Sequence, residues 1–131
     1  DLKNIRACYE QIAHFQILAD DDQAAIADAK FHLAIAEASH NLVLIQMMRG
    51  LFDLLQYNVV LGRRKVYTEA HRFDQLHDQH FQVMDAIERQ DPEAARSAVC
   101  GHIEFVVQQV RMIDEEDARR QRASRLNRIA P

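Results

Sequence analysis

Asp28 and His32 stand four residues apart in the stretch DAKFHLAIAEASHN, residues 28–41. On a helix such a pair rises from one face about a turn apart and can converge on a single atom. Taken alone, the spacing has a simpler explanation: a local Asp–His hydrogen bond, or a carboxylate near a helix N-terminus. Two further histidines change the balance. His80 falls between Leu76 and Met84, and His102 between Val99 and Val106, each at an inward position of its own apolar stripe. Singly, each reads as a core histidine satisfied by a neighbour. Together, three imidazoles and one carboxylate from three helices point at one bundle interior, and burying them without mutual satisfaction costs several kcal/mol. A divalent metal removes that cost, because neutral imidazole and carboxylate are ligands of Zn²⁺ and other first-row ions, and facing helices of a bundle can assemble them. On the residues alone a metal site and a set of satisfied core histidines both stand. His77 competes with His80 as the ligand of its helix. Leu76, Val83, Met84 and Ile87 place His80 inside the apolar stripe and His77 toward its edge, so His80 is preferred. His14, His40 and His71 have no partner at ligand spacing and read as surface or turn residues.

The elements that must carry these groups are helices. Ile5, Cys8, Ile12 and Phe15 recur every three or four residues and predict a first helix from about Leu2 to Leu18. After ADDDQ, Asp21 or Asp22 is expected to cap a second helix running to about Ser39, with Ile26, Phe31, Ala34, Ile35 and Ala38 inward. Asn41 is a good N-cap for a third helix, apolar on most of its circumference until Gly62, which places it at the buried centre of a bundle. A loop near Thr68 leads to a fourth helix, about Arg72 to Arg89, with Phe73, Leu76, His80, Val83, Met84 and Ile87 inward. Asp91 as N-cap and Pro92 at the first helical position open a fifth, with Ala95, Val99, His102, Val106, Val110 and Ile113 in line. The charged stretch DEEDARRQRASRLNR after it reads as a short helix or a frayed end. No segment alternates with period two between turn residues, so the chain is expected to be all-α, an antiparallel bundle of about five to six helices.

The two richest stretches follow the patterns DxxFHxxIAxASxN at 28–41 and QHxxVxDAIxxxDxxAARxAxxxH at 79–102. These resemble the FCD family, the effector-binding domain of GntR-type bacterial transcription regulators of the FadR subfamily. FHLAIAEASHN, GLFDLLQ and DEEDARRQRASRL are most similar to members that respond to lactate or glycolate. The resemblance implies a helical bundle that holds a divalent metal through one Asp and three His, here Asp28, His32, His80 and His102, all intact. Zn²⁺ is the ion expected, with Ni²⁺ or Mn²⁺ as alternatives. It further implies that residues 1–131 form an effector-binding and dimerisation domain of a homodimer, without the family's first effector-domain helix and the winged helix-turn-helix that precedes it. DNA would then be reached only through that separate domain. A small 2-hydroxycarboxylate, lactate or glycolate, is the expected effector, chelating the ion through carboxylate and hydroxyl. Arg49, Tyr57, Asn58 and Arg64 are candidates for holding the rest of it, although each singly reads more simply as helix surface or a helix contact.

Composition sets outer limits on these expectations. At 131 residues, 48% hydrophobic and 27% charged, with three Gly and two Pro, the chain suits one helix-rich domain. A net charge of −4 gives no general affinity for polyanions, and no apolar run is long enough to span a bilayer. Two cysteines, Cys8 and Cys100, are too few for a disulfide framework, and a reducing cytoplasm fits them. Glycine-rich phosphate loops, GxSxG and CxxC are all missing. Two rivals remain. A metal-dependent hydrolase would need a general base, and Glu37, about 1.4 turns past His32, points away. A purely structural dimerisation bundle would simply bury the histidines.

Overall fold

The computed structural model describes residues 1–50, 52 and 70–127. Among these the chain is wholly helical between its turns, with α1 at Leu2–Ile17, α2 at Asp21–Ala38, α3 helical over residues 42–50, α4 at Ala70–Glu88 and α5 at Pro92–Asn127. The all-α bundle expected from periodicity is the fold. No helix among the described residues is long and apolar enough to cross a membrane.

The turns explain why successive helices fold back on one another. Three connections share one device: a non-glycine residue with positive φ, Ala19 at 54°, His40 at 53° and Gln90 at 55°, followed at once by an Asp or Asn. The left-handed residue closes the helix before it, as where Asp20 N–H reaches Phe15 O at 3.0 Å and Asp91 N–H reaches Ala86 O at 3.0 Å. The residue after it caps the helix that follows. Asp20 Oδ1 accepts from Gln23 N at 3.1 Å, Asn41 Oδ1 from Val43 N and Leu44 N, and Asp91 Oδ1 from Ala94 N at 3.0 Å. The cap of α2 is therefore Asp20, not Asp21 or Asp22. Three consecutive aspartates are chemically equivalent caps, and the left-handed Ala19 selects the first.

α1 packs on α2 and α4, and α4 packs on α5. The core between them is Ile5 and Ile12 from α1, Ala27, Phe31 and Ala34 from α2, and Val83 and Met84 from α4, with Ala98 and Val99 of α5 against it. α2 is the most enclosed described helix: Ala24, Ala25, Ala27, Ala29, Phe31, Ala34 and Ala36 are buried around most of its circumference. Small alanines let the backbone of α1 approach α2 closely. The expectation that helix three is the buried centre meets a different picture in its described part, where Leu42, Val43, Leu44 and Met47 are exposed. The rest of that helix, with Gly62 and the loop at Thr68, lies outside the described residues, as do the side chains of His71, Phe73 and Ile113.

α5 also departs from expectation. Its 36 residues run about 54 Å without interruption, past the point where DEEDAR begins. Val106 and Val110 are exposed rather than inward. α4 has 19 residues and no described helix follows α5 further, so the inward stripe ends near Phe105, which packs against Leu76. Beyond it an i, i+4 pair, Arg119 to Glu115 at 3.2 Å, supports the solvated turns.

A candidate metal centre

Asp28 lies one turn before His32 on α2, and the helix presents both to α4 and α5. Oδ1 of Asp28 is 3.2 Å from His32 Nε2 and 3.2 Å from His80 Nε2. His102 of α5 completes the group. Its ring centroid is 4.6 Å from that of His80 and 5.2 Å from that of His32, and one nitrogen from each of the three histidines lies within 4.8 Å of the others. The four residues singled out from spacing are thus brought to one place. The cage is closed on the core side, with His80 fully buried under Phe31, and open toward solvent at His32, whose side chain is 31% exposed.

The electrostatics suit a cation. Burial on its own pushes the Asp28 carboxyl up, but the charges and hydrogen bonds of His80 and His32 outweigh it and hold the group well below the ordinary carboxylate range. Burial, then the neighbouring His80 and His32, push His102 down to about 3. The cage therefore holds a carboxylate beside a neutral imidazole, the protonation states that ligation requires. Both ring nitrogens of His80 are buried: Nε2 faces the Asp28 carboxylate at 3.2 Å, and Nδ1 has no hydrogen-bond partner among the described residues. Ligand atoms about 2.0–2.2 Å from one ion stand roughly 2.8–3.6 Å from each other, from octahedral to tetrahedral angles. The two 3.2 Å separations about Asp28 match that spacing, and the imidazoles need close by only a fraction of their separation to match it too. The residues present fit a divalent ion.

His77 is elsewhere. Its Nδ1 is 3.2 Å from Gln16 Oε1 and its Nε2 is 3.0 Å from the Tyr9 hydroxyl, which ties α4 to α1. His14 and His40 are exposed, His40 beside Asp1. Of the proposed effector contacts, Arg49 is an exposed residue of α3 paired at 2.8 Å with Glu37, so the carboxylate that a hydrolytic reading would need as base is itself engaged. Tyr57, Asn58 and Arg64 lie outside the described residues. Sequence reasoning passed over Gln79, whose Oε1 is 3.2 Å from His102 Nδ1. Its only signal was its position beside His80.

Residues 1–105 match the FCD domain family. The chain belongs to that family. The match ends where the inward stripe of α5 ends. Over 126 residues the chain is 44% identical to the Escherichia coli K12 protein named "Putative L-lactate dehydrogenase operon regulatory protein", covering 96% of this chain and 47% of the relative. It is 28% identical over 123 residues to the Glc operon transcriptional activator of the same organism, covering 88% and 47%. With the Uxu operon transcriptional regulator, also of Escherichia coli K12, it shares 32% over 88 residues, covering 63% and 33%. The FCD chain thus spans about half the length of the curated relatives it matches most fully. These relatives are named as regulators of operons, which places this FCD domain among regulator domains and not among enzymes.

Proposed function

We propose that this FCD domain is the ligand-sensing and dimerisation part of a cytoplasmic GntR-type transcription regulator of the FadR subfamily. In this reading Asp28, His32, His80 and His102 hold one divalent ion, zinc first among the candidates, and a small 2-hydroxycarboxylate binds there. The observation that carries the reading is the convergence of three imidazoles and one buried carboxylate from three helices, with Asp28 Oδ1 3.2 Å from both His32 Nε2 and His80 Nε2. A bound ion supplies a Lewis-acid centre for an α-carboxylate and its neighbouring hydroxyl. The protein's part is to keep Asp28 ionised and His102 neutral, to exclude water on the His80 side, and to admit the ligand past His32. Lactate is favoured because the relative with greater identity takes its name from an L-lactate dehydrogenase operon. Tyr57, Asn58 and Arg64 are the remaining candidates for contacts to the ligand. Effector binding that favours one arrangement of the dimer over another would change the placement of a separate DNA-binding domain.

Calorimetry of the full-length, metal-loaded protein with lactate, glycolate, pyruvate and citrate tests this. Lactate is expected to bind, to lose most of its affinity after chelator treatment, and to regain it with added metal. Propionate, without the hydroxyl, is expected to bind much more weakly. Equal lactate affinity in stripped and loaded protein would make the ion structural and send the effector site elsewhere.

A further inference from the structure

We infer that Gln79 is a positioning residue for the metal centre, fixing the tautomer and ring orientation of His102 from outside the cage. The inference rests on the metal reading above. His102 Nδ1 and Gln79 Oε1 are 3.2 Å apart, and a carbonyl oxygen can only accept. The proton of the neutral ring must therefore sit on Nδ1, and Nε2 keeps its lone pair. The reversed amide would donate to Nδ1 and force the proton onto Nε2, where the ring could not ligate through that nitrogen. An oxygen facing Nδ1 and a ligand role for Nε2 thus stand or fall together. Histidines that bind metals commonly give their other N–H to an oxygen in this way, and the partner is worth a measurable part of the affinity.

Gln79 adjoins His80 in sequence, so two successive residues of α4 serve the centre differently. His80 enters the cage directly, and Gln79 turns toward α5 to hold the ligand that the neighbouring helix contributes. The spacing of α4 and α5 is thereby read out at the cage. On its outer side the pair borders a groove of about 410 Å³ between these helices, lined by Gln79, Gln82, Asp85, Ser97, Gly101 and His102. Water in that groove can approach Nδ1 when the amide is removed, and water both donates and accepts. Removing Gln79 is therefore expected to free the tautomer rather than strand an unsatisfied nitrogen, which puts the loss near the lower end of the roughly 10–100-fold range for such partners.

The test uses the full-length protein and zinc alone, with Gln79→Ala, Gln79→Met and Gln79→Glu. Zinc affinity is read by competition with a chromophoric chelator, and the His102 tautomer by long-range ¹⁵N–¹H NMR of the metal-free protein. Wild type is expected to show the Nδ1–H form of His102. Gln79→Ala and the size-matched Gln79→Met are expected to drift toward the mixed tautomers of a free imidazole and to bind zinc about 10-fold more weakly. Gln79→Glu, which keeps an accepting oxygen, is expected to restore both. A purely structural link between α4 and α5 would move neither the tautomer nor its rescue by glutamate. If either Gln79→Ala or Gln79→Met folds and binds zinc within twofold of wild type, with His102 still held as Nδ1–H, the inference is overturned while the metal reading survives. A folded wild type that takes up no zinc overturns both.

Discussion

His77 and His102 are each 3.2 Å from a glutamine Oε1 through Nδ1, yet the other face of the two rings differs completely. His77 turns Nε2 to the Tyr9 hydroxyl, 3.0 Å away, and its bonds close within the protein. Burial, then the charge of Asp78, push the Tyr9 phenol up, so it stays a donor and the chain from Tyr9 through His77 to Gln16 runs in one direction. His102 turns instead toward the rings of His32 and His80, whose Nε2 atoms each stand 3.2 Å from Asp28 Oδ1. One cluster is a polar clasp between α1 and α4. The other gathers three imidazoles around the Asp28 carboxylate, the donor set of a divalent ion. The difference shows how two histidine clusters sharing α4 can be told apart: by whether the second nitrogen ends on a single hydroxyl or joins further imidazoles around a buried carboxylate.

The largest expected effect separates the neighbours His80 and His77 on α4. His80→Ala should abolish stoichiometric zinc uptake, with affinity falling by more than about 100-fold, since even residues outside the ligand set are worth 10–100-fold. His77→Ala should leave metal content unchanged. Elemental analysis of gently purified variants checks this. Zinc at about 1,000 times Kd should also raise the stability of wild type and His77→Ala by about 4 kcal/mol, and leave that of His80→Ala almost unmoved. Equal metal content in the two variants would erase the distinction between cage and clasp.

Acid should attack the cage next. His102 has its ordinary value near 6.5 unfolded and about 3 folded, so between those values the unfolded chain binds a proton that the native chain does not. Stability of the metal-free protein must then rise with pH across that window and be lost as pH falls through it, by on the order of a few kcal/mol. Asp28, also held low, adds a loss of the same sign at still lower pH. Urea unfolding from pH 7 to pH 4 measures the slope. A flat profile would mean that His102 is not held neutral by its surroundings.

The gathering of Asp28, His32, His80 and His102 was legible because His80 and His102 sit inside apolar stripes, where helical periodicity turns a polar side chain inward, and because the i, i+4 spacing of Asp28 and His32 sets both on one face of their helix. The same rule set His77 at the rim. It failed for Val106 and Val110, because periodicity reports which face of a helix is apolar and not how far along that face a neighbour extends. The charged run after Asp114 gave no sign of an unbroken helix, since its support comes from local pairs such as Arg119 with Glu115 rather than from packing. Gln79, Gln16 and Tyr9 were illegible for another reason. Their partners lie on neighbouring helices, and such lateral contacts depend on helix rotation and offset, which leave no period in a single sequence.

The smallest expected effect tests the clasp alone. Tyr9→Phe keeps the ring that packs near Phe31 and Phe81 and removes only the hydroxyl that donates to His77 Nε2. A hydrogen bond in a half-buried setting contributes about 0.5–1.5 kcal/mol net, and His77 can take water in exchange where it reaches solvent, so a loss of about 1 kcal/mol or less is expected. Because the clasp joins α1 to α4 and the cage joins α2, α4 and α5, this loss should be the same with and without zinc, and zinc affinity should not change. Thermal unfolding of wild type and Tyr9→Phe, each with saturating zinc and with chelator, measures the four stabilities that decide it. A loss that doubled on removing the metal would show the two clusters to be coupled through α4, and His77 would then belong to the sensor rather than to its frame.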